Sequence, residues 1–371
     1  MTGQYRLATL GCKVNQYESQ RLREVLESFG LRPAQDGSGG WDLALVNTCA
    51  VTAEACRKSR RVVRRLSRNG TVPVIVVGCG AAAEADRWRR LDAVTAVYGH
   101  DADVCAELRK FLSVWTSEPP SGEAPNRSPS GSERPDRENK GWMRPGPSGL
   151  PARSGGSSTA SSDPILTLPL VKKESQKELH LVERIESFAG HQRAFLKIQD
   201  GCDAHCTYCI IPRLRPRVRF KPIAAVVDEA RRLVAAGHRE IILTGIFLGA
   251  YGRTTALRKR WGRRSGRSPL ARLVEALCDV DGLERLRLSS LEPGDVDASL
   301  LDVLATRKPC VPHLHLPLQS GSERILRRMN RQYTRDDFLR MIDRVRAALD
   351  RPAITTDIIV GFPGETDADF E

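Results

Sequence analysis

The sequence lacks the long apolar run that a membrane-spanning helix requires. No stretch of its 371 residues approaches the roughly 20 consecutive apolar residues of such a helix. The N-terminus also lacks the basic start, apolar core and small-residue cleavage site of a secretory signal. These two absences favour a cytoplasmic protein with no membrane partner.

Acidic residues are too few to balance the basic ones. Lys and Arg number 58 against 45 Asp and Glu, which gives a net charge of +13. This surplus argues against an ordinary acidic metabolic enzyme and favours a polyanionic partner. The basic charge is local, because it is concentrated in three segments that contain no acidic residue: 57–68, 213–221 and 253–267.

Residues 1–115 alternate short apolar runs with helix-like stretches, a pattern that predicts an open parallel α/β domain. Cys12, Cys49 and Cys79 each follow one of the first three predicted strands. Because the carboxyl ends of parallel strands meet at one edge of the sheet, we expect these three thiols to lie together. The predicted strands are Tyr5–Leu10, Asp42–Val46, Val72–Val77 and Ala93–Tyr98.

Residues 116–176 are rich in Ser, Pro and Gly and predict a disordered linker, since such a composition buries too little apolar surface to fold. Residues 177–371 begin a second βα series, which predicts a partial (βα) barrel. Helices are predicted at Pro222–Ala236 and Ser322–Leu349. The predicted strands are Ala194–Gln199, Glu240–Thr244, Arg285–Leu288, His313–Leu316 and Thr355–Val360.

Ten cysteines in a chain without a secretory signal favour metal or redox chemistry over disulfides. Cys202, Cys206 and Cys209 form a Cys-x3-Cys-x2-Cys motif directly after the first barrel strand. Three thiolates can hold three irons of a [4Fe–4S] cluster and leave the fourth iron open to a chelating molecule. Zinc is the alternative, but His205 is poorly placed as a fourth ligand. The cysteines predicted to be structural are Cys56, Cys105, Cys278 and Cys310.

The motif resembles the signature of radical S-adenosylmethionine (SAM) enzymes, and further segments resemble the methylthiotransferases of that superfamily. The resemblance implies two [4Fe–4S] clusters: a catalytic one on the motif cysteines, and an auxiliary one on the three strand-end cysteines that carries the sulfur to be inserted. SAM would serve as both methyl donor and radical source. The matching segments are Thr9–Ser19, Asn47–Thr52, Gly78–Cys79, Arg287–Pro293, His313–Gly321, Met329–Thr334 and Thr356–Thr366.

Segment Thr9–Ser19 is most similar to the branch that adds a methylthio group at C2 of N6-threonylcarbamoyladenosine at position 37 of tRNA. The implied partners are tRNA, an electron donor such as flavodoxin or ferredoxin, and a sulfur donor. Family members continue through a sixth barrel strand and an RNA-binding TRAM domain, so we expect a C-terminally truncated chain. The alternatives are isopentenyladenosine tRNA or a ribosomal protein as substrate, or a truncated non-catalytic metal-containing RNA-binding remnant.

Further candidate residues lie near predicted strand ends, the functional face of βα barrels. For the SAM-binding candidates the alternative is a structural role, which for Gly361 and Glu365 would be a strand-to-helix turn. For Trp261 the alternative is a solvent-exposed loop. The SAM-binding candidates are Ser289, Glu292, His315, Gln319, Gly361 and Glu365. The RNA-binding candidates, which would contact phosphates or stack on a base, are Arg213, Arg215, Arg217, Arg219, Lys221, Arg258 and Trp261.

Overall fold

Buried strands alternate with helices in the N-terminal part of the chain. The computed structural model describes residues 3–35, 40–66, 72–100, 103–117, 180–181, 183–261 and 266–371. The N-terminal strands are β1 (Gln4–Thr9), β2 (Arg32–Pro33), β3 (Leu43–Thr48), β4 (Val74–Gly78) and β5 (Val94–Tyr98). The helices are α1 (Lys13–Ser28), α2 (Ala53–Leu66), α3 (Cys79–Ala83), α4 (Ala85–Arg89) and α5 (Val104–Ser117).

The five N-terminal strands form one parallel sheet in the order β2-β1-β3-β4-β5. Strands β3 and β4 are buried along their whole length, because helices cover both faces of the sheet. One apolar core lies between the sheet and α1 and α5, and a second includes residues of α2 and α4. The predicted open parallel α/β architecture is confirmed.

The second part of the chain repeats the βα pattern. Its strands are β6 (Arg193–Lys197), β7 (Gln199–Asp200), β8 (Arg219–Phe220), β9 (Glu240–Thr244), β10 (Arg285–Leu288), β11 (His313–His315) and β12 (Ala353–Thr355). Its helices are α6 (Ile211–Leu214), α7 (Ile223–Ala235), α8 (Pro269–Cys278), α9 (Ala298–Thr306), α10 (Glu323–Arg328), α11 (Arg335–Ala348) and α12 (Asp367–Phe370).

Five of these strands build a partial barrel. Strands β6, β9 and β10 form a parallel sheet in the order β10-β9-β6, and β11 pairs in parallel with β12. A bridge between Leu286 and Cys310 joins β10 to the segment that leads into β11. The strands β7 and β8 form a short antiparallel ribbon beside the barrel.

Two predicted elements of the barrel differ from the structure. The predicted helix over 322–349 is divided into α10 and α11, because Asn330 adopts a φ of +56° and Thr334 caps a new helix through a hydrogen bond from the Asp337 N–H. The predicted strand over 355–360 overlaps the observed strand β12 (Ala353–Thr355) at Thr355 alone. The hydroxyl of Thr356 donates to the Leu316 carbonyl and takes the place of a backbone ladder bond.

The predicted linker over 116–176 lies outside the described residues, except for residues 116 and 117, which end α5. Within the described ranges, no helix has the length and apolar character needed to cross a bilayer.

The two parts of the chain pack against each other through α1. Tyr17 of α1 is fully buried within the apolar core of the barrel, and its hydroxyl donates to Glu229 at 2.7 Å. Lys221 donates to the same tyrosine hydroxyl at 2.8 Å. The helix that follows Cys12 is therefore fixed against the barrel.

Candidate active site

Three cysteines lie at the carboxyl ends of three neighbouring strands of the N-terminal sheet. Cys12 follows β1, Cys49 follows β3 and Cys79 follows β4. Gly11, with a φ of +112°, makes the close approach possible, since a Cβ there would lie 2.9 Å from the Cys49 Cβ. The charge of Cys12 raises the pKa of Cys49 and of Cys79, after the larger effect of burial. The strand order places the three cysteines at the same edge of the sheet, as the sequence predicts.

His100 lies at the same edge of the sheet, just after β5, with its Nε2 3.3 Å from the Cys79 Sγ. Burial raises the pKa of Cys79 to about 11. Burial also lowers the pKa of His100 to about 4, and the charge of Arg215 acts in the same direction. At neutral pH a neutral imidazole therefore meets a protonated thiol. His100 is not among the candidates predicted from the sequence, although its position just after a strand places it at this edge of the sheet.

The three motif cysteines lie beyond β7, in a loop held by backbone contacts. Gly201 adopts a φ of +77°, and a Cβ there would lie 1.8 Å from the Arg217 carbonyl oxygen. The Cys202 N–H donates to the Arg215 carbonyl at 2.9 Å, and the Cys209 N–H donates to the Cys206 carbonyl at 3.0 Å. This turn requires glycine and directs all three cysteines into one loop.

The motif thiols are half-buried. Burial raises the pKa of Cys202 to about 12, and the neighbouring thiols add to the rise. Burial likewise raises the pKa of Cys206 and of Cys209. These thiols must therefore lose their protons when they bind a metal, which couples binding to proton release.

Arg331 lies against the motif and links it to the barrel wall. Its guanidinium donates to the Cys206 Sγ at 3.1 Å and to the Tyr208 hydroxyl at 3.0 Å. It also pairs with Glu292, whose other oxygen accepts from Arg258 at 2.5 Å. Glu292, a SAM-binding candidate, is thus already shared between two guanidinium groups. Arg331 is not among the candidate residues predicted from the sequence.

Arg215 connects the two cysteine groups. Its backbone carbonyl accepts from the Cys202 N–H, and its side chain donates to Glu18 of α1 at 2.7 and 2.8 Å and to Asp200 at 2.9 Å. Its charge also opposes the rise that burial imposes on the pKa of Cys79. The arginine side chain is 2% exposed. A single buried residue therefore contacts the surroundings of both cysteine triads. One triad is Cys12, Cys49 and Cys79, and the other is Cys202, Cys206 and Cys209.

Two of the RNA-binding candidates, Arg215 and Lys221, lie in buried ion pairs. Both side chains are buried, since Arg215 pairs with Glu18 and Asp200, and Lys221 pairs with Glu229. A phosphate would have to displace these pairs at a large desolvation cost.

The other RNA-binding candidates differ in how accessible they are. Arg213 and Arg217 are exposed, and Arg219 is half-exposed beside Asp200. Arg258 is mostly buried and paired with Glu292 and Asp295. The Trp261 indole donates to the Thr255 carbonyl at 2.9 Å and contacts Arg258 through its ring.

The remaining SAM-binding candidates lie at the carboxyl ends of the barrel strands. Ser289 is buried after β10, and His315 contacts Thr355 at 3.0 Å and Asp357 at 3.1 Å. Gln319 adopts a φ of +69° and pairs through its backbone with the segment after β12.

Gly361 and Glu365 form a turn of their own. Gly361 adopts a φ of +74° with open space where a Cβ would stand. The Glu365 carboxylate accepts from the N–H groups of Gly361 and Phe362. This is the strand-to-helix turn that was the alternative to SAM binding.

Solved structures share this fold. A radical SAM methyltransferase, TsrM, from Kitasatospora setae aligns with a TM-score of 0.58 at 16% identity, over 99% of this chain and 69% of that chain. The cobalamin-dependent radical SAM enzyme OxsB aligns with a TM-score of 0.54 at 12% identity, over 96% and 49%. Residues 196–371 match the Radical SAM superfamily, and residues 4–99 match the uncharacterized protein family UPF0004.

Curated relatives match the chain along nearly its whole length. The threonylcarbamoyladenosine tRNA methylthiotransferase MtaB of Chlamydia pneumoniae is 34% identical, over 100% of this chain and 70% of the relative. The chain belongs to the radical SAM methylthiotransferase family. The MtaB of Thermotoga maritima is 33% identical to this methylthiotransferase, over 99% and 70%. The tRNA-2-methylthio-N(6)-dimethylallyladenosine synthase of Erythrobacter litoralis is 32% identical, over 99% and 70%.

Membership makes this methylthiotransferase a transferase that uses SAM and a [4Fe–4S] cluster. The residues present fit that group, because the motif supplies three sulfur donors, the ligand type that iron–sulfur clusters use. In the described part of the chain, no three His, Cys, Asp or Glu side chains converge to hold one metal ion. The fit therefore rests on the donor chemistry of Cys202, Cys206 and Cys209 and on their shared loop.

Proposed function

We propose that this methylthiotransferase adds a methylthio group to C2 of N6-threonylcarbamoyladenosine at position 37 of tRNA. The observation that carries the proposal is the pair of cysteine triads, both in contact with the surroundings of Arg215. The similarity of segment Thr9–Ser19 to that branch supports the choice of base, as do the names of the Chlamydia and Thermotoga relatives.

The two triads divide the cofactors between the two parts of the chain. Cys202, Cys206 and Cys209 would hold the catalytic cluster within residues 177–371, and the three cysteines at the strand ends would hold the auxiliary cluster within residues 1–115. When bound, the clusters and SAM supply a 5′-deoxyadenosyl radical and a methylated sulfur. Two donor sets, one for each part of that chemistry, are what the reaction requires.

Residues of the chain itself position these donors. Arg331 fixes the Cys206 side chain through a hydrogen bond, and Glu292 orients Arg331. At the edge of the N-terminal sheet, the His100 imidazole contacts the Cys79 thiol as Arg331 contacts Cys206. The barrel candidates Ser289, His315 and Gln319 remain our proposed SAM contacts, since they lie where the barrel strands end.

The reaction also requires partners. An electron donor such as flavodoxin or ferredoxin would reduce the catalytic cluster, and a sulfur donor would restore the auxiliary one. A tRNA substrate is consistent with a cytoplasmic enzyme. The exposed Arg213 and Arg217, which follow Cys209, are the remaining candidates for phosphate contact near the target base.

A second substrate has support of its own. The Erythrobacter relative, whose name specifies dimethylallyladenosine, is 32% identical over the same share of the chain. The two substrates differ at the N6 group of the adenine, since one carries a polar threonylcarbamoyl group and the other an apolar dimethylallyl group. They can therefore be compared in one assay.

The test is anaerobic reconstitution with iron and sulfide, followed by incubation with SAM, a reductant and tRNA that carries either modified adenosine. Mass spectrometry of the digested nucleosides should find the methylthio product only from threonylcarbamoyladenosine. A product only from dimethylallyladenosine would assign the second substrate. Loaded enzyme that cleaves SAM but modifies neither tRNA would reject both. Cys79→Ala is the matched variant, expected to cleave SAM without forming the methylthio product.

A further inference from the structure

Helix α2 carries a row of exposed basic side chains on one face. Residues three and four apart on a helix are neighbours, so positions 57, 61, 64 and 65 line up along the axis. The row extends over about 12 Å, at about 1.5 Å of rise per residue. The helix contains a single acidic residue, Glu54. The exposed members of the row are Arg57, Lys58, Arg61, Arg64 and Arg65.

The opposite face of α2 is buried in the protein. Val63 and Leu66 pack into an apolar core with Trp88. Although the helix is amphipathic and basic, its apolar face is therefore already occupied. Insertion into a lipid surface would require that face to leave the core, so the basic row is a rigid charged surface and not a membrane-binding helix.

The start of α2 is anchored beside the auxiliary triad. The Ser59 hydroxyl accepts from the Cys49 N–H at 3.3 Å, and the Cys56 thiol donates to the Cys49 carbonyl at 3.8 Å. Arg60 pairs with Glu84 at 3.2 Å, next to the helix that begins at Cys79. The basic row thus begins near the strand ends and leads away from them. If the target base lies at the strand ends of the N-terminal sheet, the nucleic-acid backbone attached to it would run along this basic row.

Three basic residues of the segments 213–221 and 253–267 are not accessible to a phosphate. Arg215 and Lys221 are buried, and Arg258 is mostly buried with two acidic partners. Among the ion pairs of the described residues, the exposed basic side chains of α2 have Glu54 as their only acidic partner, which pairs with Arg57 and lies 4.0 Å from Lys58. A phosphate backbone can therefore reach the exposed basic side chains of α2 without breaking a buried ion pair.

We propose that the exposed face of α2 binds the sugar–phosphate backbone of the tRNA stem that adjoins the modified base. The inference rests on the proposed tRNA substrate and adds the surface that orients it. Arginine contacts to phosphates supply affinity and register without reading sequence.

The test compares two triple variants of the reconstituted full chain. Arg61→Gln, Arg64→Gln and Arg65→Gln together remove three charges from α2. Arg340→Gln, Arg344→Gln and Arg346→Gln remove three exposed charges from α11, where acidic residues alternate with the basic ones. Binding of a fluorescent tRNA transcript is measured by anisotropy over a series of salt concentrations, after both variants are shown to melt and to bind iron as the unmodified chain does.

The α2 variant should bind the transcript about tenfold more weakly, and the slope of log affinity against log salt should fall by about 3. The α11 variant should match the unmodified chain. If the unmodified chain binds and the α2 variant binds with the same affinity and slope, the α2 proposal is overturned while the proposed function stands. If the unmodified chain does not bind the transcript, the proposed function fails as well. Loss of binding to phosphatidylserine vesicles with unchanged RNA binding would assign the face to a membrane and overturn the proposal.

Discussion

Arg215 and Glu18 form a doubly hydrogen-bonded ion pair across 197 residues of sequence, with Nη1–Oε1 and Nη2–Oε2 distances of 2.7 and 2.8 Å. The pair joins the loop of the motif cysteines to the helix that follows Cys12. Both partners are largely shielded from water, with side-chain exposures of 2% and 15%. A buried pair of this kind fixes the relative position of two sites, since its loss leaves an uncompensated charge.

Arg215→Gln should therefore lower the free energy of unfolding by about 3 kcal/mol, because Glu18 and Asp200 lose a buried partner. Denaturant unfolding followed by circular dichroism measures the change. The matched control is Arg213→Gln, two residues away and exposed, which should stay within about 0.5 kcal/mol of the unmodified chain. Equal stability of the two variants would mean that the buried pair does not hold the parts together.

Arg331 should tune the catalytic cluster through its hydrogen bond to Cys206. Positive charge and N–H donors at a cluster sulfur stabilise the reduced state, so Arg331→Gln should lower the reduction potential by on the order of 50 mV. Redox titration followed by electron paramagnetic resonance measures the shift. Arg331→Lys, which keeps the charge, should restore part of it. Arg327→Gln, an exposed neighbour, should leave the potential unchanged, and an equal shift in that variant would contradict the role of Arg331.

Stability should fall in acid through Glu183. Burial acts to raise the pKa of this carboxyl, but the charges of Lys197 and Arg21 outweigh it and lower the pKa below its ordinary value of 4.5. A carboxyl with a lowered pKa stabilises the folded state above its ordinary pKa, and this contribution is lost as the pH falls. The free energy of unfolding should therefore decrease from about pH 5 to pH 3.

Glu183→Gln should reduce this pH dependence, measured by denaturant unfolding at each pH. The control Glu54→Gln removes a half-exposed carboxyl with surface partners and should leave the pH profile unchanged. An identical profile for Glu183→Gln and the unmodified chain would exclude Glu183 as a source of acid sensitivity.

The parallel sheet and the position of its three cysteines follow from the sequence, because buried strands are continuous apolar runs and their carboxyl ends share one edge. The pairing of Arg215 does not follow. The run of basic residues at 213–221 does not reveal that Arg215 pairs with Glu18 and Asp200, since those contacts depend on how the two parts of the chain pack. The break at Asn330 is also not predicted from the sequence, because it depends on the φ of +56° that this residue adopts in the folded backbone.

The central claim is that Cys12, Cys49 and Cys79 hold one cluster while the motif cysteines hold another. Iron and sulfide analysis of the anaerobically reconstituted chain tests it directly, with Cys278→Ala as the control outside both triads. The unmodified chain and the control should bind about eight irons, and Cys202→Ala and Cys79→Ala should each retain about four. About four irons in the unmodified chain, unchanged by Cys79→Ala, would contradict the account.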